Sequence, residues 1–474
     1  MRAAMLFHAQ SFIFGFLPLF LTGFFLAGRW ALYWLILASL LFYGWWNPWH
    51  VPLLVGSILS NHAIGLRIHR SKAPRAWLIA GVAGNLLALG WFKYADFLLR
   101  IAAPEAAALG IVLPLAISFF TFQQIIFLMD CRDRPAPSLL NYAAFVAFFP
   151  HLIAGPLVRP SDIVPQLAAL PRSRPGAENL SAGLTLFLLG LGKKLVLADM
   201  FGGFADTGFD AAARLETLTL LEAWAATLAY ALQIYFDFSA YSDMATGLAR
   251  MVGVRFPLNF DSPYQATDIA DFWRRWHMTL GLFLRDHVYI PLGGNRLAIN
   301  LLTTMLLAGL WHGAAWRFVL WGGLHGAMLV GHRLYRRRFP PLPTKLGQAI
   351  MLVLVCLAWV PFRADNMPAA WAMMRGLLGL NGLAVPAMIV GALPALNVIA
   401  TPVPVLRFLG EARTLSLPEV FACLVLGWTI VLAFPHAQAL SDRAKGWAIA
   451  ASFAFTVRAL CFAPHVAPFL YFQF

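Results

Sequence analysis

Long apolar runs alternate with short polar turns along this chain. Runs of roughly 17–22 apolar residues suit helices crossing about 30 Å of hydrocarbon. They predict helices near 11–27, 30–46, 51–66, 76–94, 108–129, 139–158, 181–200, 218–238, 297–313, 315–333, 346–362, 383–400, 417–434 and 446–462. Pro114 and Pro150 interrupt two of these runs. A broken helix at membrane depth survives only inside protein or beside a cavity. Some runs are therefore expected as re-entrant or half-buried pieces, and about 10–13 as full spans by the length rule. The expected fold class is all-α and multi-pass transmembrane, in a single domain over 1–474 without internal repeats.

One stretch departs from this pattern. Between Asp268 and Ile290, Ile269, Phe272, Trp273, Trp276, Leu280, Phe283 and Leu284 recur at helical spacing. Asp271, Arg274, Arg275 and Arg285 occupy the other side. This predicts an amphipathic helix with a basic face, lying at the interface or lining a polar cavity. His277 falls at the edge of its apolar stripe, and Pro291–Asn295 reads as the turn that ends it. The next apolar run leads directly into Trp311-His312-Gly313. In all, Asp268–His325 holds four histidines and five tryptophans.

Composition supports the membrane reading. Apolar residues make up 60% of the 474 and charged ones 12%, against about 25% charged in soluble domains. The net charge is +14, but the positives sit in short loops, as the positive-inside rule requires. Nucleic acid is therefore not an expected partner. Arg67, Arg70, Lys72 and Arg75 form one basic cluster, and Arg333, Arg336, Arg337 and Arg338 a second. Both are expected in the cytoplasm. Counting spans back puts the N-terminus outside and the Trp45–Trp49 turn at the outer interface. The four cysteines show no pairing or metal spacing, and no cleavable signal peptide is evident.

An imidazole at the end of a spanning run is costly to bury unless it has a partner or a task. His312, with Gly313 leaving the neighbouring backbone open to close approach, suits a general base acting on a hydroxyl. His277 suits orienting an acceptor or holding an acyl carbonyl; capping the interfacial helix is its structural alternative. No metal is expected, because the histidines lack zinc spacing. No G-x-S-x-G elbow occurs, so Ser239 and Ser242 read as buried hydrogen-bonders. Gly293–Arg296 reads as a plain turn rather than an anion nest. On these residues alone, an acyltransferase and a transporter with a histidine relay stand level. The transporter reading would predict a two-fold repeat, which is not seen.

Several blocks, in order, resemble the membrane-bound O-acyltransferase (MBOAT) family, and within it the bacterial alginate O-acetylase branch. They are Ser11–Pro18, Leu113–Gln123, Phe148–Pro156, Tyr235–Asp243, Asp271–His277, Arg285–Gly294 and Gly309–Gly313. Ala116 stands where the family has glycine. The resemblance implies re-entrant and interfacial helices around a central tunnel, with core motifs over 235–326. It implies that His312 is the catalytic histidine and His277 the second conserved one. It further implies transfer of acetyl from cytoplasmic acetyl-CoA, as substrate rather than bound cofactor, to an extracytoplasmic polysaccharide, most simply alginate. Peptidoglycan or cellulose O-acetylation, or D-alanyl transfer to teichoic acid, uses the same residues. The basic face with Arg274, Arg275 and Arg285 would meet the polyanionic coenzyme; meeting anionic lipid headgroups is the alternative. The stretch Phe469–Phe474 resembles the family's terminal hexapeptide, which makes Tyr471 a candidate acyl carrier. A periplasmic SGNH-hydrolase-like partner, with a serine nucleophile, and the polysaccharide synthesis machinery are the implied partners. The implied location is the bacterial inner membrane.

Overall fold

The computed structural model describes residues 5–172, 174–386, 401–403, 417–462 and 468–470. They are helical apart from turns and a parallel pair of three-residue strands, Ala384–Pro386 and Thr401–Val403. The helix expected over 383–400 therefore opens as a strand; the rest of that run lies outside the described residues. Pro386 explains the departure, since the residue before a proline is driven toward extended backbone. The described residues group into two compact units. Of the described residues, the first unit takes those within 5–192, 240–259 and 441–470, and the second those within 193–239 and 260–440.

Five helical stretches among the described residues are long and apolar enough to cross a bilayer: Ser11–Trp46, Pro48–Arg70, Pro74–Ala102, Ala177–Ala213 and Thr344–Arg363. The apolar helices Ile117–Asp130, Ile299–His312 and Val420–Ala433 are shorter. The expected 10–13 spans shrink partly by definition. Ser11–Trp46 contains two helices, Leu17–Ala27 and Ala31–Trp46, folded back on each other. Trp34 Nε1 donates to Phe20 O across them at 2.9 Å.

Other runs are shorter than expected for local reasons. The run over 108–129 is helical only from Ile117. Ahead of it, Pro114 lacks an N–H and Ala116 is left-handed, with φ of 65°. That conformation costs an L-residue about 1–2 kcal/mol and glycine almost nothing. A glycine at this position would serve backbone conformation. Ala116→Gly is expected to stabilise the protein by about 1 kcal/mol, after allowing for glycine's greater freedom when unfolded. A melting curve in detergent checks this; an unchanged or lower Tm would mean that Ala116 is unstrained.

Leu220–Met251 is a 32-residue helix buried almost throughout. Its buried polar groups, Asp237, Ser239 and Ser242 among them, therefore need partners. Asp237 is paired: Lys194 Nζ lies 2.9 Å from Asp237 Oδ1 and 2.8 Å from Asp199 Oδ1. Ser239 accepts from Lys193 Nζ at 2.9 Å and Ser242 from Asn259 Nδ2 at 3.1 Å. Both serines are the buried hydrogen-bonders that the sequence suggested.

In the second unit, Ile299–His312 and Trp316–Arg338 form a tight helical hairpin. A Cβ on Gly309 would lie 2.2 Å from Phe318 O, and one on Gly322 would lie 2.3 Å from Met305 O. Small residues let the two backbones approach this closely. Asn300 Nδ2 closes the base of the hairpin, donating to Leu292 O and Gly294 O at 3.0 Å each. Pro291–Asn295 is thereby the plain turn expected. The 14-residue first helix rises about 21 Å, short of about 30 Å of hydrocarbon. His312 is its last residue.

Candidate active site

The amphipathic segment is not one helix. It runs as Ile269–Arg275, breaks at Trp276 and His277, and resumes as Met278–Leu284. Asp268 starts the first piece, its carboxylate accepting from Asp271 N at 2.8 Å. Ile269, Phe272, Trp276, Leu280, Phe283 and Leu284 are buried, so the expected stripe survives the break. The break itself is at His277, whose φ of 43° and ψ of 52° are left-handed. Histidine is among the non-glycine residues that tolerate this region best. Such an outlier persists only where its surroundings hold it in place.

His277 is 2% exposed. Phe238, from the Tyr235–Asp243 block, meets its ring edge-on at 4.7 Å, and Phe260 stacks at 6.3 Å. Burial pushes the imidazole down to about 3, so it is neutral near pH 7. The pH dependence follows from that shift. Between about 3 and the unfolded value near 6.5, the unfolded chain binds a proton that the folded chain refuses. Stability is then full above about pH 6.5 and falls as pH drops through that window, by about 2 kcal/mol at pH 5. His277→Asn tolerates the left-handed backbone and removes the titration. Its melting temperature is expected to fall less steeply than wild type between pH 6.5 and 5; parallel curves would contradict the assignment.

His312 is half-buried, at the mouth of the hairpin. Trp311 joins it to His277: the ring centroids lie 6.2 Å from His277 to Trp311 and 4.9 Å from Trp311 to His312. Trp321 and Phe362 meet His312 edge-on, each at 5.1 Å. The space beside Gly313 is not open to a ligand as expected. A Cβ there would fall 2.0 Å from Phe318 Cε2, so glycine admits the Phe318 ring. The site is thus two imidazoles in a largely aromatic wall, one sealed and one accessible. Such a wall excludes water from the space it encloses.

The arginines stand apart from this wall. Arg274 Nη2 and Arg275 Nε pair with Asp271 at 3.3 and 3.1 Å, and Arg285 Nε pairs with Asp286 at 2.7 Å. Tyr471 lies outside the described residues. Among the described residues, no group of His, Cys, Asp or Glu is arranged to hold a metal ion. The sequence reading assigned no role to Trp321 or His325, although both line the wall. Their i, i+4 spacing, which puts both rings on one helix face, was the available signal.

The family model described as MBOAT, membrane-bound O-acyltransferase family, matches residues 131–362, which include both histidines. A peptidoglycan O-acetyltransferase of Helicobacter pylori is 43% identical over 428 residues, covering 80% of this chain and 81% of the relative. A probable alginate O-acetylase AlgI of Azotobacter vinelandii is 37% identical, covering 99% of this chain and all of the relative. A teichoic acid D-alanyltransferase of Bacillus subtilis is 25% identical over 63% of this chain and 79% of its own length. With near-complete alignment at such identity, a matching family model and a multi-pass helical fold, this chain belongs to the membrane-bound O-acyltransferase family and is an O-acyltransferase.

Proposed function

We propose that this enzyme takes acetyl from acetyl-CoA on the cytoplasmic face of the inner membrane and passes it across for O-acetylation of an extracytoplasmic polysaccharide, alginate first among them. The observation that carries this reading is the pair His277 and His312, set on either side of Trp311. The accessible His312 ends a helix too short to span the hydrocarbon alone. A neutral His312 ring nitrogen accepts the proton of the acceptor hydroxyl as that oxygen attacks the acetyl carbonyl. The carbon–oxygen bond forms, the carbon–sulfur bond breaks, and the proton passes to the departing thiolate. His277 is neutral, and its N–H reaches the acyl carbonyl oxygen once bound substrate opens the wall that seals it.

The arginine pairs do not oppose a donor role. The side chains of Arg274 and Arg285 are 68% and 56% exposed. Exposed ion pairs contribute about 0–1 kcal/mol, so coenzyme phosphates, with more charge, can displace the aspartates. The transfer ends on a periplasmic partner with a serine nucleophile, which hands acetyl to the polymer. The similarity to the Helicobacter pylori peptidoglycan O-acetyltransferase favours peptidoglycan as the second acceptor.

Sealed membrane vesicles of defined orientation test the direction of transfer. Inside-out vesicles given labelled acetyl-CoA in the medium should deliver acetyl to lumenal acceptor. Right-side-out vesicles should acetylate acceptor in the medium, and only when loaded with the donor. Equal transfer from externally supplied donor in both orientations would overturn the reading. Ester-linked acetate on alginate and on peptidoglycan from cells with and without the protein identifies the acceptor.

A further inference from the structure

His325 is buried completely, yet the mechanism above does not use it. It sits one turn beyond Trp321 on Trp316–Arg338, the helix that follows His312. Trp273 Nε1 approaches its Nδ1 at 3.3 Å. An indole N–H can only donate, so Nδ1 accepts, and the neutral ring carries its proton on Nε2. Nε2 has no hydrogen-bond partner among the described residues. The bond to Trp273 is thus the ring's one hydrogen bond there. A phenylalanine or leucine would fill the aromatic cage without leaving a buried donor unsatisfied, which costs about 1–3 kcal/mol. A histidine makes sense here for what its Nδ1 holds.

What it holds is the short helix Ile269–Arg275, whose next two residues are Trp276 and the left-handed His277. Seven residues make a marginal helix without outside contacts. Trp273 lies one turn before His277. On the other side, the Trp321 ring contacts His325 at 4.9 Å and His312 at 5.1 Å. We propose that His325 is a positioning residue: its bond to Trp273 ties the segment bearing His277 to the helix that follows His312, and so sets the spacing of the two imidazoles. The proposal rests on the reading of those imidazoles as the catalytic pair.

The test uses full-length protein in native membranes, with acetyl-CoA as the probe and polymer-bound acetate as the product. His325→Phe should lower kcat about tenfold, the scale expected when a catalytic pair loosens by a fraction of an ångström. KM for acetyl-CoA should stay within about twofold of wild type. His325→Asn, whose carbonyl can accept from Trp273, should recover most of the loss. Trp273→Phe, which removes only the donor, should match His325→Phe, and the double variant should be no worse than either. Wild-type kcat in Trp273→Phe, or multiplying losses in the double variant, would overturn the proposal. Trp273→Phe also decides the matter if His325→Phe fails to insert. If His312→Gln were active, the catalytic reading itself would fall. If His312→Gln is dead while the Trp273 and His325 variants are unaffected, only the positioning role falls.

Discussion

His312→Ala is expected to remove O-acetylation, by about 10²–10⁴-fold, while the protein still inserts in the membrane. That loss equals about 3–5 kcal/mol of transition-state stabilisation. The ring ends the helix Ile299–His312, where it is half-buried rather than sealed. Truncating it should therefore disturb folding less than truncating the fully buried His325 or Trp321 beside it. A packing effect can still be separated from loss of a base. His312→Gln keeps much of the volume and a hydrogen-bonding amide between Trp321 and Phe362 but cannot take up a proton at neutral pH. It should be as inactive as His312→Ala, with KM for acetyl-CoA little changed wherever residual turnover is measurable. Polymer acetylation near the wild-type level in either variant, at equal membrane abundance, would sink the assignment.

Tyr471→Phe is expected to lose polymer acetylation as completely, for a different reason. Phenylalanine keeps the ring and deletes only the hydroxyl. A phenol has a pKa near 10, close to the 8.5 of a thiol. An acetyl-tyrosine ester therefore retains much of a thioester's transfer potential. In the proposed sequence the Tyr471 oxygen attacks the acetyl carbonyl of acetyl-CoA, its proton goes to His312 and from there to the departing thiolate, and CoA leaves as the thiol. A serine of the periplasmic partner then attacks the tyrosyl ester and restores the phenol. Trapping the wild-type protein with labelled acetyl-CoA should leave label on the peptide containing Tyr471, seen by mass spectrometry. Tyr471→Phe should leave none there and none on the polymer. Normal acetylation by Tyr471→Phe would show that the stretch Pro468–Phe474 serves only as an anchor or docking peptide.

Much of this protein was legible in its sequence because a bilayer imposes one-dimensional rules. Hydrocarbon forces every backbone polar group to be satisfied within its own helix. Apolar run lengths therefore marked most helices, and the basic clusters that end Val51–Arg70 and Trp316–Arg338 could be seen without coordinates. The buried stripe from Ile269 to Leu284 could likewise be read from its period, and the Trp311-His312-Gly313 step marked the candidate site. Contacts between segments far apart in sequence carry no such period. Nothing local announced that His277 would adopt a left-handed backbone, a conformation seated by Phe238 and Phe260 from other segments. Nothing local placed Trp311 between the two imidazoles, or Phe318 in the space that Gly313 leaves. Ala116 is the intermediate case: its departure from glycine was visible in the sequence, but its cause, a positive φ before Ile117–Asp130, was visible only in three dimensions. Helix existence follows from solvent and hydrogen bonding, which act residue by residue. The geometry of the site follows from side-chain packing among distant segments, which only the tertiary structure decides.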